Sequence, residues 1–247
     1  RYRDLFGWQG LVITALAVGM SLFHFYTSGF GLLLAMKQRS LHLAFVLVLV
    51  YLLYPAHETS KKDGIPWYDF ILAAMAAFST LYLFVEFEEM VNRAGLPTTM
   101  DIIVATVGIL LVLEITRRTS GWMLPILAGI FIAYSFLGPY LPGILNHNGY
   151  SFERFVTYIY GLDGVFGITT DVSSKYIILF IIFGAFLQMS GVGQYFIDVA
   201  FRLAGWMRGG PAKVAVFASA LMGMINGTSA GNVVATGSLT IPLMKKT

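Results

Sequence analysis

The strongest candidate for chemistry in this sequence is a run of seven small or polar residues, Asn226-Gly227-Thr228-Ser229-Ala230-Gly231-Asn232. The run separates two apolar segments, 212–225 and 233–244. Each is shorter than the roughly 20 residues that a helix needs to cross a membrane. Two half-length helices joined in this way predict a re-entrant hairpin. Irregular backbone is tolerated at that depth only inside protein or beside water, so the run indicates a site.

The chemistry that suits this run is the binding of a cation beside an anion. Broken membrane helices bind Na⁺ through unwound backbone carbonyls and polar side chains, and they direct a positive helix N-terminus at an anionic substrate. A half-helix starting near Asn232 would do this, and Thr236, four residues later, shares its face. The alternative is that small residues only allow close helix packing.

The stretch from Gly227 to Gly231 also fits G-x-S-x-G, the nucleophile elbow of serine hydrolases. That elbow needs a strand before the serine and an Asp and a His later in the chain. Here both flanks have helical length and apolar character, and no histidine follows His147. A helical intramembrane protease that takes its base from elsewhere stays open as an alternative. The sequence contains no cysteine, which excludes thiol catalysis.

Other ionisable residues favour structural roles. Glu114 precedes Arg117 and Arg118 by three and four residues, which predicts an ion pair at a membrane interface, with a functional role as the alternative. The four histidines have no metal-ligand spacing, and no phosphate-binding or nucleic-acid motif occurs.

The elements that must hold these residues are membrane helices. Hydrophobic residues form 57% of the chain and charged residues only 12%, about half the charged fraction of a soluble domain. We predict an all-α polytopic membrane protein with about six transmembrane helices plus the re-entrant hairpin. The spans are expected at about 11–35, 41–54, 68–87, 100–116, 122–137 and 176–189, with an interfacial helix at 151–160 and a short amphipathic helix at 196–203.

The distribution of Lys and Arg predicts the orientation. With the N-terminus in the cytoplasm and six crossings, eleven of these residues lie on the cytoplasmic side and five lie outside. Membrane proteins carry their excess positive charge in cytoplasmic loops. Both ends of the hairpin are then expected to face the cytoplasm.

Beyond these patterns, the sequence resembles a known family, most strongly over its last 80 or so residues. Several of its motifs are similar to those of the large membrane subunit of tripartite ATP-independent periplasmic (TRAP) transporters, in particular fused permeases that work with a TAXI-type binding protein. These motifs are FGAFLQMSG at 183–191, RGGPAKVAV at 208–216, GMINGTSAGNVV at 223–234 and TGSLTIPLM at 236–244. The front of the chain resembles the four-helix small subunit and the junction after it, through SLFHFY at 21–26, RSLHL at 39–43, LEITRR at 113–118 and GPYLPG at 138–143.

The resemblance implies a domain plan and a mechanism. Residues 1–120 would form the small-subunit part, 121–162 a connection, and 163–247 the start of the transport domain. In this family a periplasmic binding protein delivers an organic anion, and the permease carries it inward with Na⁺ by an elevator-like movement. The protein would lie in the cytoplasmic (inner) membrane of a bacterium or archaeon, without catalytic residues or a bound cofactor.

The resemblance also implies roles for single residues, carried over by matching position. Na⁺ ligands would be Asn226, Gly227, Thr228, Ser229 and Asn232, and the residues facing substrate would be Asn232 and Thr236. The chain departs from the family at three places. Asn226 stands where Ser is more common, Gly231 replaces alanine, and Asn232 replaces an Asp of many relatives. An amide adds no negative charge, so the number of ions stays open.

A further departure is length. The family continues past the first hairpin through more helices and a second hairpin, whereas this sequence stops at Thr247. A lone inverted repeat cannot enclose a midplane site. We therefore expect these 247 residues to be a fragment or to need the remainder of the large subunit, and not to transport alone. A non-transporting scaffold or assembly subunit is the main alternative function, and a channel is a third.

Overall fold

A computed structural model of the chain describes residues 2–3, 5–57, 64–93, 96–224 and 229–245. Within these ranges every regular element is a helix, and six helical stretches are long and apolar enough to cross a membrane. The predicted all-α polytopic class is therefore confirmed. The chain divides into two compact units, Arg1–Ser174 and Lys175–Thr247. The boundaries expected from the family resemblance, after residues 120 and 162, stay predictions.

Among its described residues, the first unit contains seven α-helices. They are α1 (Gly7–Phe30), α2 (Ala35–Leu53), α3 (Trp67–Asn92), α4 (Thr99–Ser120), α5 (Met123–Leu137), α6 (Phe152–Ile159) and α7 (Ile168–Val172). A π-helical turn, Ser173–Ile177, follows α7 directly and leads into the second unit. That unit contains α8 (Ile178–Met189), α9 (Val192–Ala204), α10 (Gly210–Gly223) and α11 (Ser229–Met244). The sixth candidate span, Ile168–Leu187, runs through α7, the π turn and most of α8.

The break between the first two spans is sharper than the sequence predicted. Helix α1 ends at Phe30 because Gly31 has φ of 119°, a conformation that favours glycine. Helix α2 then begins at Ala35, so the expected start near residue 41 is wrong. The polar residues that suggested a loop are instead helical, and Gln38 and Ser40 are buried. A helix can accept them because Ser40 donates a hydrogen bond to the Met36 carbonyl, at 2.6 Å.

Helices α3 and α4 are both longer than the apolar pattern predicted, ending at Asn92 and Ser120. Polar ends extend them beyond the apolar core. The start of α4 is fixed by a capping box in which Thr98 and Asp101 bond each other's backbone N–H groups. Asp101 also accepts hydrogen bonds from Tyr82 and Arg93, so it ties the end of α3 to the start of α4.

The core of the first unit is closed by an aromatic side chain from outside the long helices. Tyr160, just after α6, is buried against Phe166 and reaches between α3 and α4. Its hydroxyl donates a hydrogen bond to Ser79 Oγ at 3.1 Å. Burial raises the pKa of Tyr160 to about 12, so the phenol stays neutral and the hydrogen bond persists at all physiological pH values. Gly108 of α4 leaves the space that the ring occupies.

In the second unit, α9 and α10 pack through small side chains. Ala200 and Ala204 of α9 and Val214 and Ala218 of α10 are fully buried together with Ile197. Small residues let two helix backbones approach closely, which is the usual way in which helices associate within a membrane. This contact fixes one face of α10 and leaves its other face to α11.

Candidate functional site

The candidate site lies in the hairpin of α10 and α11, whose lengths of 14 and 16 residues match two half-length helices. Helix α10 starts sharply because Gly209 has φ of 69° and Pro211 occupies the first turn. The structure corrects one expectation here. Ser229 to Asn232, predicted as irregular backbone, form the first turn of α11. Asn226, Gly227 and Thr228 lie outside the described residues.

Two threonines of α11 form a ladder along one face of the helix. Thr236 Oγ1 donates to the Asn232 carbonyl and Thr240 Oγ1 donates to the Thr236 carbonyl, each at 2.7 Å. Both threonines are buried. Since each hydroxyl proton is used within the helix, only the oxygen lone pairs of these side chains are left to meet a ligand.

Between α10 and α11 lies an open cavity of about 470 Å³. Its lining combines small apolar side chains with three hydroxyl groups. The lining residues are Ala215, Val216, Ser219, Ala220, Val233, Thr236, Gly237 and Thr240. Thr236, which was predicted to face substrate, thus lines this cavity. Ser229 is exposed at the start of α11.

Asn232 is anchored across the hairpin. Its side-chain nitrogen Nδ2 donates to the backbone carbonyl of Ser219 at 3.1 Å and to Ser219 Oγ at 3.2 Å. The amide oxygen Oδ1 is buried and accepts no hydrogen bond from the part of the chain that the structure describes. A buried acceptor without a partner costs free energy of about 1–3 kcal/mol, which a bound cation would offset. An amide oxygen is a ligand that suits a hard ion such as Na⁺.

The sequence did not single out Ser219, which lies in an apolar segment 13 residues before Asn232. Neither helical periodicity nor a motif connects the two positions. Their contact arises because the chain reverses direction between α10 and α11, and a single serine in an apolar helix carries no signal of its own.

A second polar cluster, also missed, links α1 and α2 of the first unit to the π turn. His24 Nε2 lies 2.9 Å from His42 Nδ1, and His42 Nε2 lies 3.1 Å from Ser173 Oγ. His24 Nδ1 faces the Met20 carbonyl at 2.7 Å and must therefore carry a proton, because a carbonyl only accepts. When both rings are neutral, this proton fixes the direction of the hydrogen bonds: Ser173 donates to His42, and His42 donates to His24. Both rings are fully satisfied.

Next to these hydrogen bonds, Arg39 joins α2 to the segment around α7. Its Nε donates to Asp171 Oδ1 at 2.9 Å and its Nη1 donates to the Phe166 carbonyl at 2.7 Å. The histidines were predicted to form no metal site, and among the described residues no group of three or more His, Cys, Asp and Glu could hold a metal. The cluster instead fastens α2 to the segment around α7.

A third cluster lies at the opposite end of the helices. Glu114 pairs with Arg117 at 2.7 Å and with Arg118 at 2.8 Å, which confirms the predicted ion pair. Arg118 also binds Asp69 at 2.8 Å, and Asp69 in turn pairs with Arg3. Asp69 is fully buried. Its two bonds join the N-terminal arm, α3 and α4, and the long separations of these residues hid the arrangement from sequence analysis.

The fold and the hairpin together define a polytopic α-helical membrane protein with a polar site between two half-length helices. Residues 107–247 match the family model described as tripartite ATP-independent periplasmic transporter, DctM component. Because the match covers more than half of the chain, the protein belongs to this family of transporter components. The matched region begins within α4 and includes the whole hairpin. No curated protein and no solved structure matches the chain.

Proposed function

We propose that this chain is the permease component of a Na⁺-coupled transporter that imports an organic carboxylate handed over by a periplasmic binding protein. The family match supports a role in TRAP transport. The resemblance of the motifs at 208–216 and 223–234 to fused permeases supports a TAXI-type protein as the partner. The count of Lys and Arg supports a cytoplasmic N-terminus in the inner membrane.

The observation that carries the proposal is the buried amide oxygen of Asn232 in the first turn of α11, which has no partner within the described part of the chain. It is a buried acceptor one helical turn before Thr236, which lines the cavity, and such an oxygen suits a cation that has lost its water. The N-terminal end of α11 adds a positive partial charge, which favours the carboxylate of a substrate close by. Asn226, Gly227, Thr228 and Ser229 remain proposed co-ligands from their position in the run.

The test is uptake into proteoliposomes by the complete permease with its binding protein, under an inward gradient of either Na⁺ or K⁺. Wild type is compared with Asn232→Ala and with the control Asn92→Ala, whose side chain is exposed at the end of α3. We expect uptake to need both Na⁺ and the binding protein. Asn232→Ala should reduce it at least tenfold, because one cation ligand is lost, while the control stays at the wild-type rate.

Other outcomes separate the alternatives. Uptake that is equal in K⁺, or unaffected by Asn232→Ala, would remove the ion site from this hairpin. Ionic conductance without the binding protein would instead indicate a channel. A complex that assembles with its partners but moves nothing would indicate a scaffold subunit.

A further inference from the structure

We propose that Ser219 is a positioning residue that fixes which end of the Asn232 side-chain amide faces the bound cation. The inference rests on the function proposed above and adds a residue to its site. Ser219 would not need to touch the ion. Its role is to hold the amide in the one orientation that presents oxygen rather than nitrogen to the ion.

The geometry of the contact determines this orientation. An amide has an oxygen and an NH₂ group of nearly equal size at its two ends, so shape alone does not choose between them. The backbone carbonyl of Ser219, 3.1 Å from Asn232 Nδ2, can only accept a hydrogen bond. Turning the amide over would place two oxygens at that distance. The NH₂ group is therefore held against α10, and Oδ1 is buried without a hydrogen-bond partner among the described residues.

The Ser219 hydroxyl adds the second contact, at 3.2 Å from the same nitrogen. It differs in this from the other hydroxyls that line the cavity. Thr236 and Thr240 donate to carbonyls of their own helix, whereas Ser219 Oγ accepts a hydrogen bond from the neighbouring helix. The position of the hydroxyl is thus set by the pairing of α10 with α11.

A glycine leaves room for the side-chain amide of Asn232. A Cβ atom added at Gly223, the last residue of α10, would lie 3.3 Å from Asn232 Nδ2, closer than almost all such contacts in proteins. Gly223 therefore leaves room for the NH₂ group, and Ser219 binds it. Ser219 and Gly223, one turn apart on α10, therefore both adjoin the NH₂ group of Asn232. Packing of small residues alone does not require this arrangement.

The proposal predicts a change in cation affinity rather than in folding. Without the hydroxyl, the NH₂ group keeps only the carbonyl contact, and the amide is held less firmly against α10. The Na⁺ concentration that gives half-maximal uptake should rise roughly threefold to tenfold in Ser219→Ala, the range that one hydrogen bond accounts for. Ser219→Thr keeps a hydroxyl and should return this concentration towards the wild-type value.

The experiment measures uptake against Na⁺ concentration for the complete permease with its binding protein. The matched control is Ser135→Ala, which removes a serine hydroxyl that bonds only the Phe131 carbonyl within α5. We expect an unchanged Na⁺ requirement for the control. If Ser219→Ala lowers the maximal rate while the half-maximal Na⁺ concentration stays the same, the residue has a structural role only and the proposal is overturned.

A double substitution shows whether Ser219 acts through Asn232. In the Asn232→Ala background, Ser219→Ala should cause no further rise in the Na⁺ requirement, because no amide is left to orient. An equal rise in both backgrounds would overturn the inference. If Asn232→Ala alone leaves Na⁺ dependence intact, the proposed ion site fails. If Asn232→Ala changes it and Ser219→Ala does not, only the positioning role fails.

Discussion

Replacing Gly108 with alanine tests how the first unit closes around Tyr160. In most helix interiors this change stabilises a protein by up to about 1 kcal/mol, because alanine restricts the unfolded chain more than glycine does. At Gly108, however, the new Cβ would overlap three atoms of the Tyr160 side chain: Cζ, Cε2 and the hydroxyl oxygen. The ring would have to leave its place, and its hydrogen bond to Ser79 would be lost.

The magnitude follows from two costs. Overpacking a well-packed core costs about 1–3 kcal/mol. The lost hydrogen bond of the buried hydroxyl adds about 1 kcal/mol. Compared with a glycine that has no neighbours, Gly108→Ala should therefore be less stable by about 2–4 kcal/mol. The control is Gly129→Ala in the middle of α5, where an added Cβ meets nothing within 4 Å.

The assay is thermal unfolding of the purified protein in detergent, followed by circular dichroism. We expect Gly108→Ala to melt at least about 4 °C below Gly129→Ala, since 1 kcal/mol corresponds to about 2–4 °C in a chain of this size. The partner substitution Tyr160→Leu removes the overlapping atoms, so Gly108→Ala should cost nothing more in that background. Equal melting temperatures for the two alanine variants, or an undiminished penalty with Tyr160→Leu, would refute the reasoning.

Two further predictions concern the polar clusters of the first unit. Asp69→Asn leaves the buried guanidinium groups of Arg3 and Arg118 without their shared counterion. It should lower the free energy of unfolding by about 3–5 kcal/mol. The control Glu89→Gln, at an exposed position, should change the melting temperature little. His42→Phe keeps a ring but leaves His24 without its ring partner, and it should cost about 1–3 kcal/mol in the same unfolding assay. A wild-type melting temperature for either variant would contradict the stabilising role of the corresponding cluster.

The polar contacts of the first unit have a common structural consequence. The Arg39 and His42 contacts hold α2 against the segment that ends at Ser173, the first residue of the π turn. The Asp69 cluster and the Tyr160 ring fix α3 and α4. Polar side chains within the membrane are costly unless they are paired, so these contacts stabilise the first unit. Among the described residues of the hairpin, the buried Asn232 Oδ1 has no hydrogen-bond partner.

The sequence by itself determined the class of the protein and the place of its candidate site. Composition and the length of apolar runs identify membrane helices, because a hydrocarbon core demands about 20 apolar residues for each crossing. The two half-length segments around Asn226–Asn232 identified the hairpin for the same reason. The pairing of Glu114 with Arg117 and Arg118 was also predictable, since residues three and four apart meet on one face of a helix.

Tertiary structure alone decided which distant residues meet. The contacts of Asp69 with Arg3, of His24 with His42 and of Tyr160 with Gly108 depend on how each helix is rotated and where it crosses its neighbour. Periodicity places a residue on a face but does not say which residue of another helix that face will meet. The same holds for the candidate site. The sequence pointed to Asn232, but only the pairing of α10 with α11 showed that Ser219 holds its nitrogen, while its oxygen meets no partner in the residues that the structure describes.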